Sequence, residues 1–295
     1  MIAGLVGSQT TSFIAFPPPT ILLFDCRGGS TLPGLPIDDF SAPADPVVTN
    51  LAPITSEVAR FFSEVFDRNS IDNAGAALSS TIHFGMMAGQ AIWSGSQVLY
   101  SDGDGAVFLD PSNSDDLIAH EWTHAITQNT LRLFGTRTEA GGLNESISDV
   151  FGSMFRQWRA GQDVVDADWL MGADILGPVS RAKDLACIRD LRNPAAAHCY
   201  TPQPVHFSQF QPLMNPHDSS GIPNLAFYTA AAGIGGKSWE TAGQIWYRAM
   251  TDFGPSPGMT MSAFANRTRN LATQMFAQLP SVANNVDVGW SAVGL

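Results

Sequence analysis

The first 110 residues of the chain consist of short apolar runs separated by turn-forming residues. Three runs rich in β-branched or aromatic residues, at positions 20–24, 80–84 and 97–100, are each followed closely by glycine, a pattern typical of β-strands. At positions 56–66 the apolar side chains instead recur every three or four residues, as on one face of a helix. The pattern predicts a strand-rich region that contains one helix.

Helical periodicity begins near residue 115 and continues through the second half of the chain. Asp115 or Asp116 can start a helix that runs to about Leu131, because an acidic first turn suits the helix dipole. A second helix is expected after Gly142, with an apolar stripe that continues to Trp158. Further helices are predicted at 224–232, 239–252 and 261–279. These elements indicate the α+β class, with a β-rich half followed by a helical half.

The composition narrows the possible functions. Hydrophobic residues make up 44% of the 295 residues and charged residues only 14%, which excludes a disordered chain. The formal net charge of -12 disfavours nucleic acid and anionic lipid as partners. We expect no membrane-spanning helix, because the prolines at 17–19 separate the longest apolar stretches. No signal peptide is recognisable, because Arg27 is the first basic residue.

The strongest chemical signal is the HExxH motif formed by His120, Glu121, Trp122, Thr123 and His124. On a helix, residues four positions apart lie about 40° apart on one face, so both imidazoles can reach one metal ion. Glu121 lies about 100° round the helix, where it can hold a water instead of binding the ion. Two histidines exposed on an amphipathic helix are the alternative interpretation.

A third ligand is expected downstream, because a hydrolytic zinc ion normally has three protein ligands and one open position. Glu145 and Asp149 are four residues apart and therefore share one face of the second predicted helix. One carboxylate can bind the metal while the other orients a ligand. We expect Asp149 to pair with His120, and Asn144 to pair with His124.

Together these motifs resemble the thermolysin family of zinc metallopeptidases, and the resemblance covers most of the chain. Six blocks occur in the family's order, at 68–73, 100–105, 120–124, 144–149, 220–224 and 242–247. The resemblance implies a zinc endopeptidase with a β-rich N-terminal lobe, residues 1–134, and a mainly α-helical C-terminal lobe, residues 135–295. The zinc helix then lies between the lobes, at the floor of a cleft.

The resemblance also implies a role for each matching residue. His120, His124 and Glu145 correspond to the zinc ligands, Glu121 to the general base, and His217 to the histidine that stabilises the oxyanion. The implied substrate contacts are Arg189 with a carbonyl, Gln90, Ala91 and Trp93 along an edge strand, and Phe108, Leu117 and Ile188 at a hydrophobic pocket. Such a pocket favours cleavage on the N-terminal side of hydrophobic residues. The family further implies one zinc ion per chain, protein or peptide substrates, a monomer, and secretion. An intracellular location is the alternative, because no signal peptide is recognisable.

The chain departs from the family pattern at three positions that assist catalysis. The tyrosine that contacts the oxyanion has no counterpart, and Phe134 is the nearest aromatic residue. Gln90 replaces an asparagine, and Pro212 replaces the carboxylate that orients the oxyanion histidine. A zinc-binding relative with weakened catalysis, acting as a binding or regulatory protein, is therefore a second hypothesis, although zinc binding alone does not require Glu121. An unrelated metal hydrolase would explain only the HExxH motif.

The family's double calcium site is expected to be absent. Asp116 and Asp168 match two of its ligand positions, but Arg156, Leu170 and Ala173 occupy others, so most of the anionic oxygens are missing. The guanidinium of Arg156 can instead pair with Asp116 or Asp168.

The three cysteines cannot form an even-numbered disulfide framework. Cys187 and Cys199 are close enough in sequence to form a disulfide, which leaves Cys26 unpaired. Such a bridge would close a short loop and hold Arg189 at the cleft.

Overall fold

A five-stranded sheet forms the centre of the N-terminal half. The computed structural model describes residues 16–40, 45–86 and 89–295. The strands are β1 (Ile21–Asp25), β2 (Leu35–Ile37), β3 (Leu78–Ile82), β4 (Ala91–Trp93) and β5 (Val98–Tyr100). Their order is β2-β1-β3-β5-β4, with three parallel central strands and an antiparallel strand at each edge. The three strands predicted from the pattern are β1, β3 and β5, whereas the edge strands have three residues each, too few for a recognisable alternation.

Helix α1 (Pro46–Phe66) connects β2 to β3 and packs against β1. The Asp45 side chain accepts a hydrogen bond from the backbone N–H of Val47, and Pro46 occupies the first helical position, where proline is tolerated. The helix begins well before residue 56, where the pattern placed its start. Pro53 lies inside it, and an interior proline normally indicates that a helix has ended.

Helices α2 (Asp115–Asn129) and α3 (Glu139–Ala160) pack against each other at the middle of the molecule, and most of their side chains are buried. Gly152 allows the two backbones to approach closely, because a Cβ atom there would lie 2.5 Å from the backbone oxygen of Asp116. Helix α2 agrees with the predicted one, whereas α3 begins at Glu139, before the two glycines that were expected to precede it. The packing of α2 against α3 fixes the distance between the two halves of the expected metal site.

The C-terminal half is mainly helical, as predicted. Its helices are α4 (Pro178–Arg181), α5 (Pro216–Ser219), α6 (Gly221–Ile234), α7 (Ala242–Thr251), α8 (Met261–Met275) and α9 (Pro280–Ala292). Two short strands, β6 (Leu170–Met171) and β7 (Arg189–Asp190), form an antiparallel pair. The helix predicted at 261–279 ends at Met275, and α9, which the pattern does not predict, begins at Pro280.

One hydrophobic core connects the two halves. Buried apolar side chains from Leu23 in β1 to Val293 after α9 belong to a single cluster. The predicted boundary at residue 134 falls in the loop between α2 and α3, and this core extends to both sides of it. No helix in the described part of the chain is long and apolar enough to cross a membrane.

Candidate active site

Helix α2 places the two histidines of the HExxH motif on one face, as its periodicity requires. The Nε2 atoms of His120 and His124 are 3.0 Å apart. Two nitrogen ligands of one tetrahedral zinc ion lie about 3.3 Å apart when the Zn–N bonds are about 2.0 Å, so the observed separation is close to the expected one. The two rings therefore converge on one point.

Glu145, on α3, completes a cluster of three metal ligands. Its oxygens lie 3.4 Å from Nε2 of His120 and 3.6 Å from Nε2 of His124, and the three ligand atoms lie within 4.8 Å of one another. The side chain is buried, yet its Oε2 has no well-directed hydrogen bond among the described residues. Burying a carboxylate oxygen in this way is costly unless a cation binds it. The cluster therefore fits the zinc ion that the sequence implies.

The outer nitrogen of His120 is held by Asp149, as predicted. Nδ1 of His120 is 2.9 Å from Oδ1 of Asp149. Arg189 donates to both oxygens of Asp149, at 2.8 and 2.5 Å, and Asn224 donates to Oδ2 at 2.9 Å. All four side chains are buried. Arg189 thus lies behind the ligands, where it orients His120 through Asp149.

Two polar side chains of α3, Asn144 and Ser148, lie beside the ring of His124. The hydroxyl of Ser148 lies 3.0 Å from Nδ1, whereas the side-chain oxygen of Asn144 accepts a hydrogen bond from Thr127 at 2.6 Å. Asn144 and Ser148 are one turn apart on the same face of α3. The hydrogen bond from Asn144 to His124 is the expected one, whereas Ser148 is a neighbour of the ring that the sequence did not predict.

Glu121 lies beside the ligand cluster and not within it. Its Oε2 accepts a hydrogen bond of 2.7 Å from the backbone N–H of Trp93 in β4. The indole of Trp93 also donates to Gln128 on α2. These two bonds fix the edge strand against the helix that carries the metal ligands.

His217 lies in the short helix α5 on the opposite side of the cluster. Its Nε2 is 3.3 Å from Oε2 of Glu145, and its side chain is 56% exposed. Oδ1 of Asn215 caps α5 by accepting a hydrogen bond from the His217 backbone N–H, and the same oxygen is 3.3 Å from Nδ1 of the ring. Asn215 thereby supplies the orienting oxygen that Pro212 cannot.

A cleft of about 750 Å³ contains the cluster. It is lined by residues 90–95, 120, 121, 124, 128, 133–135, 137, 144, 145 and 215–217. Arg137 was not predicted, because no motif marks it. Phe108, Leu117 and Ile188 do not line the cleft but pack in or against the core. A larger groove, of about 960 Å³, lies beside α1 and contains none of the ligands, so the smaller cleft is the candidate active site.

Charges within the cluster determine its protonation. Burial opposes a charge on His120, but the hydrogen bonds and charges of Asp149 and Glu145 outweigh it and raise the pKa to about 10. Burial, together with the charge of His120, lowers the pKa of His124. Burial also opposes ionisation of Glu145, but the charges of His124 and His120 hold its pKa well below the usual range. A metal ion that binds here therefore displaces a proton from His120.

Arg156, about two turns beyond Asp149 on the same face of α3, forms a charge cluster with the start of α2. Its Nη1 lies 3.2 Å from Oδ2 of Asp116, 2.6 Å from Asp174 and 3.5 Å from Asp115. The predicted pair with Asp116 is confirmed, whereas Asp168 accepts a hydrogen bond within its own loop. Burial raises the pKa of Asp116 to about 6, against the opposing charge of Arg156.

The predicted disulfide is not formed in this structure. The Sγ atoms of Cys187 and Cys199 are 3.7 Å apart, well beyond the S–S bond length of about 2.05 Å, and both residues are free cysteines. Both side chains are buried beside β7. The separation is set by the backbone pairing of the two residues.

Comparison with known proteins agrees with this geometry. The family profiles "Thermolysin metallopeptidase, catalytic domain" and "Thermolysin metallopeptidase, alpha-helical domain" match residues 41–128 and 134–295. An extracellular metalloprotease of Pectobacterium carotovorum subsp. carotovorum is 39% identical over 244 residues, which cover 80% of this chain and 69% of that protein. Protease PrtS of a Photorhabdus species (strain Az29) is 34% identical over 286 residues, which cover 92% of this chain and 76% of PrtS.

A solved structure extends the comparison to three dimensions. The protealysin precursor, a metalloproteinase from Serratia proteamaculans, superposes with a TM-score of 0.85 at 32% identity, covering 94% of this chain and 87% of that chain. The matching profiles cover most of the sequence, and the HExxH motif lies within the catalytic profile. The fold and the predicted resemblance are confirmed. The chain belongs to the thermolysin family of metallopeptidases and is a metalloendopeptidase.

Proposed function

We propose that this metalloendopeptidase cleaves peptide bonds on the N-terminal side of hydrophobic residues. In this proposal zinc is held by His120, His124 and Glu145, and Glu121 is the general base. The observation that carries it is the convergence of three ligand atoms within 4.8 Å of one another. The carboxylate of Glu121 lies beside them, bonded to β4, and is not one of the three ligands. Metal-assisted hydrolysis requires such a set of metal ligands together with a separate general base.

The base must take up and release one proton in each turnover. Bound zinc supplies a Lewis acid that polarises the scissile carbonyl and acidifies a water molecule. Glu121 takes a proton from the attacking water and passes it to the leaving amine. The bond from the Trp93 N–H occupies one carboxylate oxygen, so the other oxygen is available for this proton.

His217 is the candidate donor to the negative charge that develops on the carbonyl oxygen. Oδ1 of Asn215 accepts from the His217 backbone N–H and lies 3.3 Å from Nδ1, so it holds the ring in position. Nε2 lies 3.3 Å from Oε2 of Glu145, and in this proposal it is the atom that donates to the carbonyl oxygen.

Substrate binding is proposed to use the edge strand β4. An extended peptide can pair with an edge strand through backbone hydrogen bonds, and the strand lies directly beside Glu121. Phe108 lies against Gly89, immediately before the edge segment, and Ile188 immediately precedes Arg189. Neither side chain lines the cleft, so the proposed preference for a hydrophobic residue after the cleaved bond rests on the family resemblance.

The preference can be measured by sequencing the products of casein digestion. We expect the new N-termini to be mainly large hydrophobic residues. New N-termini that are mainly charged or small would contradict the proposed specificity without contradicting peptidase activity.

We also propose secretion and protein substrates. The support is that a relative covering most of this chain is named an extracellular metalloprotease, and that the family consists of proteases. Weakened catalysis is not favoured, because Glu121 is retained and correctly placed beside the ligands.

The decisive variant is Glu121→Gln, which keeps the shape of the side chain but removes its basicity. We expect one zinc ion to remain at the His120, His124 and Glu145 site, and we expect the rate of peptide hydrolysis to fall by about two to four powers of ten. Elemental analysis and a fluorogenic peptide assay measure the two quantities.

Glu240→Gln is the matched control, because Glu240 is exposed and lies outside the cleft. It should change neither the zinc content nor the rate. Full activity in Glu121→Gln would show that another group is the base, and a sample without zinc at this cluster would show that the ligand assignment is wrong.

A further inference from the structure

A second group of metal-ligating side chains lies around β7, away from the catalytic cluster. Cys187 and Cys199 are joined by a parallel backbone bridge. Hydrogen bonds from Ala186 N–H to the His198 oxygen, at 2.9 Å, and from Tyr200 N–H to the Cys187 oxygen, at 2.8 Å, hold the two segments together. The pairing brings both thiols into one small buried cluster.

The distance between the two sulfur atoms matches a shared metal ion. Zn–S bonds of about 2.3 Å at the tetrahedral angle place two thiolates about 3.8 Å apart. The Sγ atoms of Cys187 and Cys199 are 3.7 Å apart. A disulfide would require them to move closer by more than 1.5 Å, to about 2.05 Å.

His198 supplies the third ligand. A ligand atom of His198 lies within 4.8 Å of both sulfurs. Its Nε2 is 3.1 Å from Oδ2 of Asp190, a carboxylate that is buried and fixed by the backbone N–H groups of Arg192 and Asn193. A carboxylate on one ring nitrogen is the arrangement that orients metal-bound histidines, and it leaves Nδ1 for the metal. The His198 side chain is 40% exposed, which gives solvent access for an ion and for a water as fourth ligand.

We propose that Cys187, His198 and Cys199 form a second zinc site. Binding exchanges the two thiol protons for the ion, as zinc binds thiolates. Cys187 lies two residues before Arg189 in β7, so a bound ion would hold this segment in place. The guanidinium of Arg189 in turn bonds to Asp149 behind the catalytic ligands. Its role is therefore to fix the loop that orients the catalytic ligands.

Cobalt substitution tests the site without reference to peptidase activity. Of the two metal-ligating clusters in the described part of the chain, only the proposed site contains cysteine, so a thiolate-to-cobalt charge-transfer absorption in the cobalt-loaded protein reports on it and not on the catalytic cluster. We expect this absorption in the wild-type protein prepared without oxidants, and we expect it to be retained in Cys26→Ser, the matched control. His198→Ala should weaken cobalt binding at this site by at least about tenfold, since a ligand is lost.

The zinc content provides a second measurement. We expect about two zinc ions per chain in the wild-type protein and about one in the Cys187→Ser, Cys199→Ser double variant. If that variant does not fold, the cobalt absorption of the wild-type protein and of the His198→Ala variant still decides whether the site exists. A wild-type protein with free thiols but no charge-transfer absorption would overturn the proposal. So would a denatured, unreduced sample with one reactive thiol, because Cys187 and Cys199 would then form a disulfide.

Discussion

At the scale of single residues, His83 illustrates how neighbouring charges control protonation. Its Nδ1 is 2.5 Å from Oδ1 of Asp102 and its Nε2 is 2.7 Å from Oδ2 of Asp45. Burial opposes protonation of this ring, but the two carboxylates outweigh burial and raise the pKa to about 9. Because Asp45 also caps α1, the protonated ring connects the start of that helix to the loop after β5.

This arrangement predicts a pH dependence of stability. The folded protein binds the His83 proton more tightly than the unfolded chain does, so the stabilisation is complete below pH 6.5 and is lost as the pH rises through 9. The ring is partly solvated, so we expect a loss on the order of 1 kcal/mol in the free energy of unfolding. Urea unfolding at intervals between pH 6 and 10 measures it.

His83→Gln should remove the decrease in the free energy of unfolding between pH 6 and 10, because the ring that binds the proton is absent. The matched control is His206→Gln, since exposed His206 pairs with the hydroxyl of Ser208. An equally steep loss of stability in His83→Gln and in the wild-type protein would contradict the assignment.

At the scale of elements, helix α3 carries the proposed metal ligand and a structural charge at different heights along the face that packs on α2. Glu145 and Asp149 face α2 at the ligand cluster, whereas Arg156, two turns further on, pairs with the start of α2. Asp116 is fully buried, and a buried carboxylate requires a cation or hydrogen bonds. Arg156 supplies that charge internally.

We therefore expect the stability of this helix pair to depend on Arg156 and not on calcium. Arg156→Gln leaves Asp116 buried without its cation and should lower the free energy of unfolding by about 3 kcal/mol. Added calcium should leave the melting temperature of the wild-type protein unchanged. Calorimetry with calcium and with a chelator measures both effects.

Arg159→Gln is the control on the same helix. Arg159 pairs with Asp115 and Glu57 in a partly exposed position, so its loss should cost less than about 1 kcal/mol. A melting temperature that rises steeply with calcium would show that a cation site persists beside Arg156.

At the scale of the whole molecule, the continuous core implies that both halves unfold together. Trp290 in α9 stacks on Trp246 in α7 with ring centroids 6.0 Å apart, and its indole N–H donates to Thr268 at 2.8 Å. The same cluster of buried side chains reaches the sheet and the zinc helix. Loss of packing at the end of the chain should therefore destabilise the catalytic cluster as well.

Trp290→Ala tests this coupling. Removal of a buried tryptophan should cost about 3 to 5 kcal/mol, and the melting curves from near-ultraviolet circular dichroism and from residual peptidase activity should shift together. Val288→Ala, an exposed position on the same helix, is the control and should leave both curves in place. Two separate transitions would show that the halves unfold independently.

The sequence alone determined the features that depend on helix geometry. The spacing of His120 and His124, and of Glu145 and Asp149, places each pair on one helical face whatever the rest of the chain does. The two residue pairs were therefore predictable from spacing, and the family resemblance joined them into one ligand cluster. The central helices α2 and α3 were predictable for the same reason, because their periodicity extends over several turns.

Only the tertiary structure decided which groups from separate elements meet. Ser148 lies beside His124 together with Asn144, and Asn215 approaches His217, because these contacts depend on how helices and loops pack. The backbone N–H of Trp93 reaches Glu121 from an edge strand too short to leave a pattern. The sulfur separation that distinguishes a metal site from a disulfide is likewise a property of two paired backbones. Local sequence encodes the faces of helices, whereas long-range packing sets distances between them.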